Sequence, residues 1–289
     1  MSGDIKTRKH KILDNHTFLG IFLLMFGGFF LMQFVIGAPL GFAAMKLTGT
    51  SATSYVALFA AVGGLIVLFF HFFRFSPEYN WKTSFSQTVA GLKLLWPILI
   101  YWIVLFTTFG FFAGRIPFGP LSFEGAASSL MAGVTEEVAF RELPISYMAR
   151  QWRDEKKIPL MVIIPGLAFG LIHITNIFGS KPTDTLAQVV ISIFFGVFFS
   201  AVYVRTGSIW AVLIGHTLHD LLVSSATVYT PELPDIVIAE FIIVEGILAI
   251  YAMYLIRKEK RPEIIALWDR KWNRSEKDSE GGYQPSGRP

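Results

Sequence analysis

TEEVAFRELP, residues 135–144, sets Glu136, Glu137, Arg141 and Glu142 into a chain otherwise built for a bilayer. Over 289 residues, 53% are hydrophobic and 16% charged, and the mean hydropathy is +0.53. Soluble domains carry about 25% charged residues, so four charges within seven positions are an anomaly that needs partners. Outward from this stretch, apolar runs of spanning length recur, about 20 residues being enough to cross a bilayer as a helix. Thr17–Pro39, Thr53–Phe70, Leu94–Gly114, Ile158–Gly179 and Thr185–Val204 carry no charge except at His173. Ser208–Tyr229 and Ile236–Ile256 are long enough but hold ionisable groups, and Ala126–Arg150 contains the opening stretch. The expected fold is all-α and polytopic, with about eight transmembrane helices around an intramembrane polar cavity. Solid apolar runs, without period-two alternation, exclude a β-barrel.

Net charge is +4 and pI about 9.2, but the excess lies in short loops and tails, which argues for topology signals and against nucleic-acid binding. With the N-terminus inside, the inner segments hold clusters such as Lys6, Arg8, Lys9 and Lys11, or Arg150, Arg153, Lys156 and Lys157. The outer loops hold only Lys46, Arg115 and Lys181. The expectation is a multi-pass cell-membrane protein with both termini cytoplasmic: a tail over 1–16, a helical domain over 17–256, and a disordered tail over 257–289. The first apolar run reads as a retained span rather than a cleaved signal. No internal repeat is visible. Cysteine is absent, which removes disulfides, thiol nucleophiles and thiolate metal sites.

Ionisable groups inside spans are expensive and face the bundle interior. Glu137 and Arg141 lie four apart, acid before base, and predict an ion pair. Glu136 is turned by about 100° from its neighbour and needs another partner. Pro144 cannot donate to the carbonyl of Phe140, so the helix should kink or loosen there. In PGLAFGLIHI (165–174), His173 follows Phe169 by one turn. In GSIWAVLIGHTLHDLL (207–222), His216 and Asp220 share a face, with His219 on an adjacent stripe. Glu240 and Glu245 are five apart without a basic partner on their helix, and are expected near its outer end, in reach of water. His71 is expected to be interfacial. At ~1.5 Å per residue Glu136 lies about 15 Å in from the outer end of its span and His216 about 12 Å in from the inner end of its own. Both fall near mid-bilayer, consistent with a shared wet cavity.

Carboxylate plus imidazole is the equipment for general-base activation of water. HExxH and Gly-x-Ser-x-Gly are absent, and Asp220 has no facing aspartate. A glutamate-based hydrolase remains. Glu136, His173 and His216 are also a set able to hold zinc as His₂Glu.

EEVAFR (136–141), FGLIH (169–173) and HTLHD (216–220) resemble the EExxxR, FxxxH and HxxxN/D motifs of the CPBP family. That family comprises the type II CAAX prenyl endopeptidases and the bacteriocin-immunity (Abi) relatives. The motif core runs from about 124 to 224. The resemblance implies an intramembrane glutamic endopeptidase that needs no metal or other cofactor. Glu136 would activate water with help from His173, and His216 with Asp220 would bind the oxyanion or substrate carbonyl. Glu137 and Arg141 would give support, and Phe169 would pack. The substrate implied is a membrane-embedded or lipid-anchored protein or peptide, prenylated CAAX chains among them. Glu142 stands where members often have Gly, and Asp220 where Asn is common. A non-catalytic immunity or regulatory protein and, further off, a transporter are the alternatives.

Overall fold

The computed structural model describes residues 16–49, 52–75, 79–113, 119–225 and 235–273. Among these the protein is helical, without strands. Among the described residues, four helices are long and apolar enough to cross a membrane: Thr17–Thr48, Thr53–Arg74, Glu155–Phe178 and Pro182–Thr206. This is a multi-pass all-α membrane protein. The eight expected runs are all represented by helix, but not all as straight apolar spans. Phe85–Leu94 and Pro97–Thr108 meet at a 44° bend, just where Pro97 interrupts the hydrogen-bond ladder, and count at most as one broken span. The apolar helices Ile209–Ser225 and Ile242–Leu255 fall short of spanning length.

We number the helices α1 (Thr17–Thr48), α2 (Ala52–Phe75), α3 (Phe85–Leu94), α4 (Pro97–Ala113), α5 (123–151), α6 (Ile158–Ile172), α7 (Pro182–Thr206), α8 (Ile209–Ser225), α9 (Asp235–Leu255) and α10 (Arg261–Lys271). α5 carries the four charges and is also the most buried helix in its middle: from Val138 to Ala149 every residue is buried. It packs on α2 and α8, while α6 and α7 form the most extensive helix pair.

Small residues let these helices approach. A Cβ added to Gly196 of α7 would stand 2.9 Å from the Cα of Gly166 in α6. At Gly133 of α5 it would stand 2.8 Å from the Cα of Thr217 in α8. Close backbone approach through small residues is how membrane helices gain packing contacts without a hydrophobic drive. The first seats α6 on α7, the second brings the motif segments of α5 and α8 together, and α6 packs directly on α5. At Gly207, φ of 64° lets the chain turn tightly from α7 into α8.

α5 winds into π-helical turns at Ala132–Glu136 and Val138–Glu142. The second ends just before Pro144, and a similar stretch in α1, Leu31–Gly37, ends just before Pro39. A proline removes one i→i−4 bond, and the preceding turn widens. The loosening expected from Pro144 is therefore found at the charged turn itself.

The expected disordered tail requires correction at its start. Arg261–Lys271 is helical, and Ile264, Trp268, Lys271 and Trp272 are buried. The Trp268 indole donates to Val204 O at 3.0 Å, Lys271 Nζ to Gly207 O at 2.7 Å, and the Trp272 indole to Ser146 O at 3.1 Å. Charge and proline density concealed an amphipathic helix that docks on the ends of α5 and α7. At its exposed side Glu263 pairs with Lys260 and Arg205, whose hydrogen bonds hold its carboxyl below the usual range. Residues 274–289 and 1–15 lie outside the described residues.

Two smaller expectations also change. Glu245 is 1% exposed, buried where α9 meets α4 and α7, rather than wet. Glu240 accepts from Thr108 Oγ1 of α4 at 3.1 Å. His71 is buried and bonded to Ser146 Oγ at 3.2 Å, inside rather than at an interface.

Candidate active site

Glu137 lies between the two π-helical turns of α5, fully buried. Its Oε1 meets Arg141 Nη1 at 2.9 Å, the i,i+4 pair expected from spacing. The same oxygen lies 2.7 Å from Nδ1 of His216 on α8. A carboxylate paired with a guanidinium can only accept, so Nδ1 carries the proton and donates. That hydrogen bond fixes the imidazole's tautomer and plane, the usual office of a carboxylate behind a working histidine.

The other ring nitrogen of His216, Nε2, faces two carboxylates: Glu136 Oε2 at 3.8 Å and Asp220 Oδ2 at 3.7 Å. These distances exceed a hydrogen bond, so a gap of that width separates Nε2 from each carboxylate. Exposure divides the acids in the same way. The Glu137 side chain is sealed at 0%, whereas Glu136 retains 13% and Asp220 26%. The neighbours in EEVAFR thus separate as their 100° rotation requires: Glu137 turns to the buried cation, Glu136 to the gap.

Aromatic rings hold the charged groups from behind. Arg141 lies over the Phe169 ring at 4.4 Å, and its Nη2 reaches Gly196 O at 3.5 Å. The Phe169 ring also meets His173 edge-on at 5.0 Å and His216 at 5.9 Å. Phe199 stacks on His216 at 5.5 Å. Phe169 is therefore the packing residue common to Arg141, His173 and His216.

His173 stands where α6 tightens into a 3₁₀ turn, His173–Phe178. Its Nδ1 donates to Phe169 O at 2.8 Å, which leaves Nε2 as an acceptor. No bond or ion pair joins it directly to Glu136, the partner that the resemblance implies. His219 belongs elsewhere: Trp102 Nε1 donates to its Nδ1 at 3.1 Å, and Phe195 packs on it at 4.5 Å. Among the described residues no three His, Cys, Asp or Glu side chains are grouped so as to hold a metal ion.

Glu142 is the residue that the sequence reading left without a role. It is buried one turn beyond Val138, and both its oxygens are occupied. Tyr79 donates to Oε1 at 3.1 Å, Tyr203 donates to Oε2, and His71 Nε2 lies 3.5 Å from Oε1. Spacing could not reveal these partners, which come from α2, α7 and the segment before α3.

The order of the motifs on α5, α6 and α8 has a counterpart outside this chain. Residues 117–222 match the family model of the type II CAAX prenyl endopeptidases, Rce1-like. This segment is similar to that family. It is more than a third of the chain and contains all three motifs, so the likeness read from EEVAFR, FGLIH and HTLHD holds. The Rce1-like family is one of proteases, and the chain's apolar helices embed it in a lipid bilayer. No curated protein and no solved structure matches the chain.

Proposed function

We propose that the protein is an intramembrane glutamic endopeptidase that cleaves a membrane-embedded or lipid-anchored protein or peptide. Prenylated CAAX chains are the substrate class to which the Rce1-like segment points. The observation that carries this reading is the gap between Glu136, Asp220 and His216 Nε2, backed by a sealed Glu137–Arg141 pair. Six costly polar groups gathered on three helices need a common use.

In this mechanism water enters the gap and Glu136 takes its proton as general base. The oxygen attacks the scissile carbonyl, and the carbonyl π pair moves onto oxygen. Protonated His216 donates from Nε2 to that oxyanion, while Glu137 supports its positive charge from Nδ1. The intermediate collapses by breaking the C–N bond, and the proton held by Glu136 passes to the leaving amine. Asp220 keeps the imidazolium favourable and lines the approach. His173, through its free Nε2, accepts a hydrogen bond from the incoming water. Phe169 excludes solvent behind it. No metal enters these steps.

The same reading includes eight crossings around a polar cavity, with α5 and α8 tolerated in lipid because their charges face each other. The Lys and Arg bias supports a cell-membrane protein with both termini in the cytoplasm.

The deciding experiment uses the full chain in detergent with farnesylated and unprenylated peptides ending in a CAAX sequence, in ¹⁸O-labelled water. Cleavage with one label in the new carboxyl terminus, absent in Glu136→Gln, is expected. Intact peptide with a folded wild-type protein overturns the reading.

A further inference from the structure

His219 lies one turn after His216 on α8, half-buried, outside the gap and next to Asp220. Three rings hold it. Phe195 of α7 lies 4.5 Å from it and 6.2 Å from the His216 ring, so one phenyl group packs against both imidazoles. Tyr101 of α4 lies at 5.3 Å, and the Trp102 indole is parallel to the ring within 18°. The Trp102 Nε1–H donates to His219 Nδ1 at 3.1 Å. An indole nitrogen can only donate, so Nδ1 carries no proton, the ring is neutral, and its proton sits on Nε2. Among the described residues that N–H has no acceptor. No step of the mechanism above uses it. A donor left unpaired within a membrane helix is costly, and flipping the ring would break the bond from Trp102.

We propose that His219 is a substrate-binding residue whose Nε2–H donates to the backbone carbonyl two residues from the scissile one. Side chains one turn apart on a helix stand about 5–6 Å apart at Cβ. An extended peptide presents carbonyls on one side at every second residue, roughly 6.6 Å apart at ~3.3 Å per residue. With the scissile carbonyl at His216 Nε2, the next carbonyl on that side therefore comes within reach of His219. Charge selects the acceptor. The gap already sets Glu136 and Asp220 against a single imidazolium, so a substrate carboxylate is repelled there, and a neutral donor suits a neutral amide carbonyl. A hydrogen bond to a carbonyl that does not react is equally strong in the ground and transition states, so it lowers KM and leaves kcat alone. The proposal rests on the peptidase reading for the peptide that it binds, but binding decides it as well as turnover.

Two amide substitutions separate the ends of the ring. His219→Asn puts an acceptor oxygen near the place of Nδ1, still able to accept from Trp102, and removes the Nε2 donor. His219→Gln puts an N–H near the place of Nε2 and removes the acceptor for Trp102. With the full chain in detergent and a farnesylated CAAX peptide, His219→Asn should melt like the wild type and raise KM about fivefold, the worth of one neutral hydrogen bond. Its kcat should stay unchanged. His219→Gln should keep KM nearer the wild-type value and melt lower. In the Glu136→Gln chain, adding His219→Asn should raise the Kd of the same labelled peptide by about the same factor. Unchanged KM in His219→Asn, an equal rise in both variants, or a loss confined to kcat overturns the proposal. A wild type that binds the peptide without cutting it removes the peptidase reading alone, and the Kd comparison then decides for His219. A chain that does not bind the peptide at all overturns both.

Discussion

His216 Nδ1 donates to Glu137 Oε1 at 2.7 Å, whereas Asp220, its neighbour one turn along α8, stands 3.7 Å from the other nitrogen. The carboxylate that orients the imidazole thus comes from another helix. Glu137 is more than a counter-ion for Arg141: it joins the buried cation to the histidine of the gap. The two glutamates of EEVAFR accordingly fail in different ways when replaced.

Glu136→Gln should insert and purify like the wild type, because its side chain reaches the gap and the buried His216 beside it, at 3.8 Å, keeps its closer partner Glu137. Peptide cleavage should fall by about 10²–10⁴ or more, the usual worth of a positioned base. Glu137→Ala should instead lower the melting temperature and yield, since Arg141 and the His216 N–H lose their common acceptor. Removing one partner of a buried pair costs about 3–5 kcal/mol. Thermal melts alongside turnover separate the two; a stable, active Glu137→Ala would remove its supporting role.

Asp220→Asn should retain measurable turnover. Glu137 already fixes the plane of His216, and an amide at 220 still accepts and also donates toward the gap. Asp220→Ala should lose more, through the vacated polar surface. Gel filtration must show both to be folded. Turnover in Asp220→Asn as low as in Glu136→Gln would identify the Asp220 charge itself as necessary.

Gly133→Ala tests the crossing of α5 and α8 without touching a charged group. Its new methyl would lie 2.8 Å from the Cα of Thr217, next to His216, so α8 must move. A shift of about 1 Å in a positioned group can cost on the order of 10²-fold in rate. Turnover should fall at least that far with helix content unchanged by circular dichroism. Wild-type turnover would show that the spacing between Glu137 and His216 has slack.

Activity should survive dialysis against a chelator, and elemental analysis should find no stoichiometric transition metal. His173 is bonded to its own helix at Phe169 O, and no ion pair turns it toward Glu136. Among the described residues, Glu136, His173 and His216 form no group of three placed to hold a metal ion. Stoichiometric zinc whose removal abolishes cleavage would reverse that conclusion.

What could be read from the chain depended on whether partners lie on one helix. The i,i+4 ion pair Glu137–Arg141, the differing faces of Glu136 and Glu137, and the loosening near Pro144 follow from helix geometry alone. The bond between Glu137 and His216 joins residues 79 apart in sequence and is set by the Gly133 crossing, which no spacing rule reveals. Glu142 was legible only as a departure from a motif, because Tyr79 and Tyr203 reach it from distant segments. The docked α10 was missed for a compositional reason: its few buried residues are interleaved with charges that resemble a solvated tail.

That helix gives the last prediction. Trp268 is 2% exposed and ties α10 to Val204 O, while Lys271 reaches Gly207 O at the turn between α7 and α8. Burial pushes the Lys271 ammonium pKa down, and the Glu142 carboxylate works against that shift. α10 therefore closes the same end of the bundle at which Glu142 gathers Tyr79, Tyr203 and His71. Trp268→Ala should destabilise the protein by about 3–5 kcal/mol through the lost ring and its cavity. Glu142→Ala should destabilise too, by leaving two buried tyrosine hydroxyls without an acceptor, at about 1–3 kcal/mol each. Glu142→Gln keeps an acceptor oxygen and should lose less than Glu142→Ala. Because α10 and Glu142 share this end of the bundle, the double variant should lose less than the sum of the singles. Denaturation midpoints of the four proteins in one detergent decide it: strict additivity would show that α10 and Glu142 act independently, and an unchanged Trp268→Ala would show that α10 is not part of the folded bundle.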